Sequence, residues 1–109
     1  MKHISVINSI EVPEGFEEEA IKVRDIYIKY FKTKPGFVSS TFYRTINNYN
    51  KFNFVNIVVW ESYESFLAVV NSGFENQEGL NEDNTKMLGK GFPHPIKVSP
   101  GQFKIIRND

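Results

Sequence analysis

The stretch FNFVNIVVWE (52–61) constrains the fold of this chain more than any other part of the sequence. Apolar side chains fall on both faces of a strand here: Phe52, Phe54, Val58 and Trp60 on one face, and Val55, Ile57 and Val59 on the other. Such alternation with period two is typical of a β-strand. Because a large apolar face is rarely left in water, both faces need a cover. Helices of the same chain can cover one face, and we expect something beyond the single chain to cover the other.

The length and charge of the chain limit what it can be. With 109 residues, we expect one domain spanning 1–109. Hydrophobic residues make up 40% of the chain and charged residues 24%, as in ordinary globular domains. Lys plus Arg and Asp plus Glu each number 13, so no net field draws in polyanions over a distance. We therefore predict neither a nucleic-acid partner nor a membrane partner.

The cysteine content and the first fifteen residues indicate the compartment in which we expect the protein. The chain contains no cysteine, which excludes disulfides, thiolate catalysis and cysteine-bound metal. The first residues, MKHISVINSIEVPEG (1–15), include polar side chains before any apolar run reaches the length of a signal peptide or membrane span. We therefore expect a cytoplasmic protein.

The order of the predicted elements defines the fold class. Alternation, helical spacing and turn residues predict strands at 4–12, 37–46, 52–61 and 103–107, and helices at 13–32 and 62–72. This order is that of an α+β, ferredoxin-like βαββαβ fold with an antiparallel sheet. The polar stretch 74–100 is expected to be an irregular lid or dimer arm, with a short helix near 81–88.

Particular residues indicate how these elements pack. Ile4, Val6, Ile10 and Val12 share one face of the first strand around Asn8, and the first helix has an apolar stripe of Phe16, Ala20, Val23, Tyr27 and Tyr30 or Phe31. The acids Glu17 to Glu19 suit the start of that helix. Ser62 suits the N-cap of the second helix, whose inner side carries Phe66, Val69 and Val70.

An RNA-binding domain is one hypothesis for this element order. Such domains carry stacking aromatics on the third strand, in a motif with an F-x-F-V core, and Phe52-Asn53-Phe54-Val55 matches that core. The glycines of the motif are missing, and Ser5 stands on the first strand where an aromatic is needed. The chain also lacks the basic surface that binds phosphates. The charge balance therefore argues against this hypothesis.

A small-molecule pocket is the alternative, and it rests on two side chains of the third strand. Residues four apart on a strand point the same way, so Asn56 and Trp60 are expected to project side by side. Asn8 joins them if the first and third strands are parallel neighbours, as we assume. Amides in apolar surroundings need hydrogen-bond partners. A helix end, a backbone group or a buried water can supply them, and so can a ligand in a largely apolar pocket.

Three segments resemble the antibiotic biosynthesis monooxygenase family: VINSIEVPEG (6–15), KPGFVSSTFYR (34–44) and FNFVNIVVWESYESFLAVV (52–70). The resemblance implies a dimeric α+β barrel, in which two ferredoxin-like sheets pair face to face as a homodimer. That pairing would cover the second apolar face of strand 52–61. It also implies oxidation of a small aromatic or polyketide-like substrate by dioxygen, with no metal or other cofactor.

The resemblance also suggests site residues. Asn56 and Trp60 match the cavity amide and indole of the family, and we predict that they are catalytic. We expect substrate binding by Asn8, Tyr43, Arg44 and Phe66. Tyr43 stands where the family often has His, which puts a histidine proton shuttle in doubt.

Two other hypotheses remain open within the same fold. A related branch degrades haem with an Asn, a Trp and a His; Asn8 and Trp60 match the first two, but residues 62–80 contain no His. Neither His3 nor His94 stands at ligand spacing, so we predict no metal site and keep haem as an alternative cofactor. The second hypothesis is a non-catalytic dimeric protein that binds a small aromatic ligand in the same cavity, since a fold does not ensure chemistry.

Overall fold

The computed structural model describes residues 3–47, 49–69 and 92–109. Within these ranges the chain forms β1 (Ile4–Glu11), α1 (Glu17–Phe31), β2 (Phe37–Arg44), β3 (Phe54–Trp60), α2 (Tyr63–Val69) and β4 (Lys97–Lys104). The described helices pack on one face of a four-stranded antiparallel sheet. The predicted α+β, ferredoxin-like βαββαβ fold is confirmed.

The sheet has the strand order β2-β3-β1-β4. The predicted neighbours β1 and β3 do pair, but they run antiparallel, so the assumption of a parallel pair was wrong. The physical reason is the connection: α1 carries the chain back so that β2 runs parallel to β1, and the turn after β2 then reverses β3 against both. Asn8 lies directly opposite Asn56 in this register, and Ile4 lies opposite Trp60.

The core between helices and sheet consists of two hydrophobic clusters. The first cluster holds Ile4, Val6, Ile28, Val58, Trp60, Phe66 and Val69. The second cluster holds Ile10, Val12, Ala20, Phe54 and Ile96. All four apolar residues predicted to share one face of β1 are therefore buried, and both Asn8 and Asn56 lie between the two clusters on their strands.

The first helix differs from its predicted form at its N-terminal end. It begins at Glu17 rather than at Pro13, because the chain first makes a turn closed by the Phe16 N–H donating to the Pro13 carbonyl at 3.0 Å. Phe16 is 39% exposed and is not part of the buried face. Ala20 is buried as predicted, and Ile28, which was not in the predicted stripe, is buried as well. The three acids predicted for the first turn are confirmed there, and Lys29 lies in the last turn.

The second helix begins as predicted. The Ser62 hydroxyl accepts a hydrogen bond from the Ser65 N–H at 3.0 Å, which is N-cap geometry. Phe66 and Val69 are buried as expected, while Val70 lies outside the described residues.

The last strand was misplaced in the sequence prediction. It spans Lys97–Lys104 rather than 103–107, so the end of the stretch predicted to be irregular is strand. β4 pairs with β1 along its whole length and lies at the edge of the sheet. An edge strand tolerates Pro100, which has no N–H to donate, because no further strand pairs with its outer side. Of the lid or dimer arm predicted over 74–100, residues 74–91, which include the predicted helix near 81–88, lie outside the described residues.

A side chain extends the sheet at the end of β1. The Asn53 Oδ1 accepts from the Val12 N–H and the Asn53 Nδ2 donates to the Val12 carbonyl, both at 2.8 Å. The amide of Asn53 thus occupies the place of a peptide group opposite Val12, just before the chain turns into α1.

The second face of the sheet carries no described helix. Val55, Ile57 and Val59 are only half-buried on it, and Tyr43 and Phe103 are exposed. The face predicted to need a partner is therefore apolar in the structure. None of the described helices is long and apolar enough to cross a membrane.

Candidate functional site

Four polar side chains of the described residues meet between the two hydrophobic clusters. We call Asn8 on β1, Arg24 on α1, Ser40 on β2 and Asn56 on β3 the polar layer. Asn56 is the buried polar residue of the described core. The layer lies under the middle of α1, where the helix crosses the sheet.

Arg24 connects the helix to the two strands of this layer. Its Nε–H donates to the Asn56 Oδ1 at 3.1 Å, and its Nη2 donates to the Ser40 Oγ at 3.2 Å. Its Nη1 donates to the Asp25 Oδ1 at 3.1 Å. The guanidinium carbon lies 5.2 Å from the centre of the Phe42 ring, within cation–π range. The guanidinium is therefore held in a defined position over β2 and β3.

The charge of Arg24 is largely withdrawn from water, but the carboxylate of its ion pair is not. The Arg24 side chain is 15% exposed and the Asp25 side chain 61% exposed. An ion pair with an exposed carboxylate is worth at most about 1 kcal/mol. The other partners, Asn56 and Ser40, are neutral. The polar layer thus holds a mostly buried positive charge with weak compensation.

Asn8 brings an unused acceptor to the same place. Side chains directly opposite each other in an antiparallel pair are about 5 Å apart at Cβ, and Asn8 is opposite Asn56. The Asn8 Oδ1 is buried and has no hydrogen-bond partner among the described residues. A buried carbonyl oxygen without a hydrogen-bond donor destabilises the folded state by roughly 1–3 kcal/mol. This oxygen is a point at which a bound hydroxyl or N–H would be stabilised.

Trp60 is not beside Asn56, although both lie on the predicted face of β3. Val58 stands between them, and four residues of strand span about 13 Å. Trp60 is 1% exposed. Its ring packs edge-on against Phe31 and Phe37, at centroid distances of 5.4 and 5.9 Å. Trp60 therefore belongs to the first hydrophobic cluster.

The other predicted substrate-binding residues are scattered. Phe66 packs against Trp60 at a centroid distance of 6.4 Å, in the same cluster. Arg44 is exposed on the helix side of the sheet, with its guanidinium carbon 5.2 Å from the centre of the Phe54 ring. Tyr43 alternates with Arg44 along β2 and lies on the opposite face of the sheet. The structure brings Asn8 and Asn56 together and does not bring Tyr43 to them.

Sequence reasoning missed Arg24, although a signal was present. Ala20, Arg24 and Ile28 stand at positions i, i+4 and i+8, and the two apolar members are the buried residues of α1. A charged residue in the middle of a buried helical row needs partners across the core. Searching the stripe for its polar exception would have identified Arg24.

The residues present do not fit a haem held through histidine. The described part of α2 contains no His. His94 is exposed in the turn that precedes β4, and His3 lies just before β1. Within the described residues, no group of three or more His, Cys, Asp or Glu side chains is placed to hold a metal ion. We therefore derive no chemical step through haem.

The described residues combine a ferredoxin-like sheet, covered by helices on one face, with an amide, a guanidinium and an unpaired carbonyl inside an apolar core. The family model for antibiotic biosynthesis monooxygenases matches residues 3–73, well over half of the chain. The chain belongs to the antibiotic biosynthesis monooxygenase family. No curated protein matches the sequence.

Solved structures of similar fold include oxygenases of two kinds. A candidate monooxygenase from Shewanella loihica has a TM-score of 0.74 and 19% identity, over 98% of this chain and 97% of that one. SnoaB, a cofactor-independent oxygenase from Streptomyces nogalater, has a TM-score of 0.71 and 20% identity, over 99% and 97%. The haem degrader MhuD from Mycobacterium tuberculosis, with two haems bound, has a TM-score of 0.62 and 23% identity, over 97% and 98%. At these identities the likeness concerns the fold.

Proposed function

We propose that this protein is a cofactor-independent monooxygenase that oxidises a small aromatic or polyketide-like substrate with dioxygen. The observation that carries the proposal is the pair of amides in the polar layer. Asn56 is buried and held by Arg24, and the opposite Asn8 has an unpaired buried oxygen. Family membership supports oxygen chemistry, and the similarity in fold to SnoaB supports chemistry without a cofactor.

The proposed reaction uses the electrons of an ionised substrate. A substrate carbanion or enolate gives one electron to dioxygen, and the carbon radical and superoxide combine to form a peroxide. The peroxide takes back the proton lost on ionisation and eliminates water, so a ring CH2 and O2 become C=O and H2O. Donors fixed in a dry site stabilise the oxyanion at each stage. In this proposal Asn56 binds the substrate oxygen, while Trp60 and Phe66 support the site from the first hydrophobic cluster.

We propose further that the active form is a homodimer built from single domains of 1–109. The apolar second face of the sheet, with half-buried Val55, Ile57 and Val59, supports this assembly. Two such faces pressed together would remove the apolar surface of both from water. Tyr43 lies on the same face, so in this proposal it contacts the partner rather than the substrate of its own chain.

Oxygen consumption tests the proposed reaction. The panel contains quinols, anthrones and haem, and the variants are Asn56→Ala, Trp60→Phe and the control Tyr49→Phe, which alters a hairpin side chain that is 94% exposed. We expect turnover of an anthrone or quinol, a fall of about 100-fold in kcat/KM for Asn56→Ala, a smaller fall for Trp60→Phe, and none for the control. Turnover that is equal in wild type and Asn56→Ala would remove Asn56 from the site.

A non-catalytic binding protein is the second candidate, and one observation favours it. The polar layer consists of amides, a hydroxyl and a guanidinium, none of which abstracts a proton readily at neutral pH. Binding of an aromatic ligand without oxygen consumption on any member of the panel would favour this candidate. Turnover of haem alone would favour the haem-degrading alternative.

A further inference from the structure

The polar layer has an excess of positive charge at its centre. A guanidinium has five N–H donors, and the described acceptors Asn56, Ser40 and Asp25 take one bond each from its nitrogens. Only Asp25 is charged, and it is turned to solvent. A mostly buried cation with neutral inner partners favours an anion placed beside it, because low local polarity strengthens the attraction.

Arg24 also fixes the orientation of the Asn56 amide. The Asn56 Oδ1 is engaged by the Arg24 Nε–H, so the Asn56 NH2 group points away from that bond. The helix thus sets which end of the amide is offered to a ligand. A guanidinium and an amide NH2 are both donors, and together they suit a negatively charged oxygen.

Asn8 adds the opposite requirement. Its buried Oδ1 has no described donor, and an oxyanion cannot supply one. A ligand that satisfies the whole layer therefore carries a proton donor next to its ionised oxygen. Asn8 and Asn56 are directly opposite across two strands, with Cβ atoms about 5 Å apart, so the two ligand oxygens that they bind lie close together on one ligand.

We infer that Arg24 selects, for the site proposed above, the mono-anion of an aromatic compound with two neighbouring oxygen substituents. The ionised oxygen accepts from Arg24 and from the Asn56 NH2, and the adjacent hydroxyl donates to the Asn8 Oδ1. The inference rests on the proposed small-molecule site, but it concerns recognition and holds whether or not the ligand is oxidised. Arg24 is here a specificity-determining residue, and through Asn56 it is also a positioning residue.

Two coloured phenols test the inference in the full-length protein. 4-Nitrocatechol carries an ionisable oxygen next to a hydroxyl, and 2-methoxy-4-nitrophenol replaces that hydroxyl by a methoxy group, which cannot donate. Affinities are measured by absorbance titration at a pH at which both dyes are mono-anions. Wild type is expected to bind the catechol about 10-fold more tightly, and Arg24→Gln to weaken the binding of both dyes by about 10- to 100-fold.

Three further variants separate the two halves of the inference. Asn8→Ala should abolish the preference for the catechol and leave binding of the methoxy dye unchanged. Arg24→Lys, which keeps the charge but loses the planar fork, should fall between wild type and Arg24→Gln. Arg107→Gln removes an exposed arginine of the C-terminal tail and should change neither affinity. Circular dichroism confirms that each variant is folded.

The results of these experiments distinguish ligand recognition by Arg24 from the proposed monooxygenase reaction. Equal affinity of wild type for the two dyes, no binding of either dye, or unchanged binding by Arg24→Gln would overturn the inference. Arg24-dependent dye binding without oxygen consumption on the substrate panel would support the inference and count against the monooxygenase. Oxygen consumption that does not change in Arg24→Gln would support the monooxygenase and count against the inference.

Discussion

Replacing Arg24 and Asn56 together by apolar side chains of similar size, as Arg24→Met with Asn56→Leu, measures what the polar layer contributes to the stability of the fold. The layer separates the two hydrophobic clusters, and Arg24 Nε donates to Asn56 Oδ1 across the gap between α1 and β3. A double-mutant cycle therefore separates the value of this contact from the cost of burying its members.

The structure sets the expected magnitudes. Asn56→Leu takes a buried acceptor from a guanidinium that is 15% exposed, which should lower the free energy of unfolding by about 1.5–3 kcal/mol. Arg24→Met leaves the Asn56 and Ser40 oxygens without their donor, at a cost of roughly 1–3 kcal/mol. The double variant removes the charged side chain from the polar layer and places apolar side chains between the two hydrophobic clusters. It should be more stable than either single variant, with a coupling energy of about 1–3 kcal/mol.

Urea unfolding at one fixed protein concentration is the assay, because an oligomer would make stability depend on concentration. With a denaturant slope of about 2 kcal/mol per M for a domain of this size, a change of 2 kcal/mol moves the midpoint by about 1 M. Arg44→Met is the matched control: it removes an arginine from the same side of the sheet, but from an exposed position. It should show no coupling with Asn56→Leu.

The expected coupling would be refuted if the change in the free energy of unfolding of the double variant equalled the sum of the changes in the two single variants. This equality would mean that the two side chains act independently, and that the contact between them does not hold the helix over the strand. Equal coupling in the Arg44 cycle would mean that any loss of charge on this side produces the effect. Either result would also weaken the account of how Asn56 is oriented.

Two further predictions concern the packing of α2 and the free face of the sheet. Gly15 and Gly36 both have positive φ, of 92° and 90°, but an added Cβ meets open space at Gly15 and the Ser65 side chain at Gly36. We expect Gly15→Ala to lower the free energy of unfolding by about 1 kcal/mol and Gly36→Ala by about 2 kcal/mol more; equal losses in thermal or urea unfolding would contradict the contact with Ser65. Light scattering after size exclusion should give a dimer for wild type and a monomer for Ile57→Glu, with Ile46→Glu, in the exposed hairpin, remaining dimeric. A monomeric wild type would remove the dimer proposal.

The order of the elements could be predicted because each has a local signal. Alternation identified β1 and β3, and the Ser62 cap identified the start of α2. β4 was misplaced because its pairing with β1 decides its extent, and a segment containing Pro100 and Gly101 carries little strand signal of its own. Local patterns of this kind do not show which distant strand a segment will join.

The candidate site was only half visible in the sequence. Period two correctly placed Asn56 and Trp60 on one face, but it says nothing about the Val58 layer between them. Arg24 was not predicted as a site residue because an amphipathic helix is recognised by its apolar residues. The partners of Arg24, Ser40 and Asn56, also lie 16 and 32 residues away along the chain. A contact of that kind becomes visible only when the helix is laid on the sheet.

The amide of Asn53 has a mechanical consequence for the helix above the sheet. It ties the backbone of Val12, just before α1 begins, to the residue that precedes β3. Three residues further along, Asn56 holds the middle of the same helix through Arg24. The approach to α1 and the middle of α1 are thus both joined to the segment 53–56. A shift of α1 along the sheet would have to break the Arg24 contact with Asn56, while the Asn53 amide keeps the start of the connection in place.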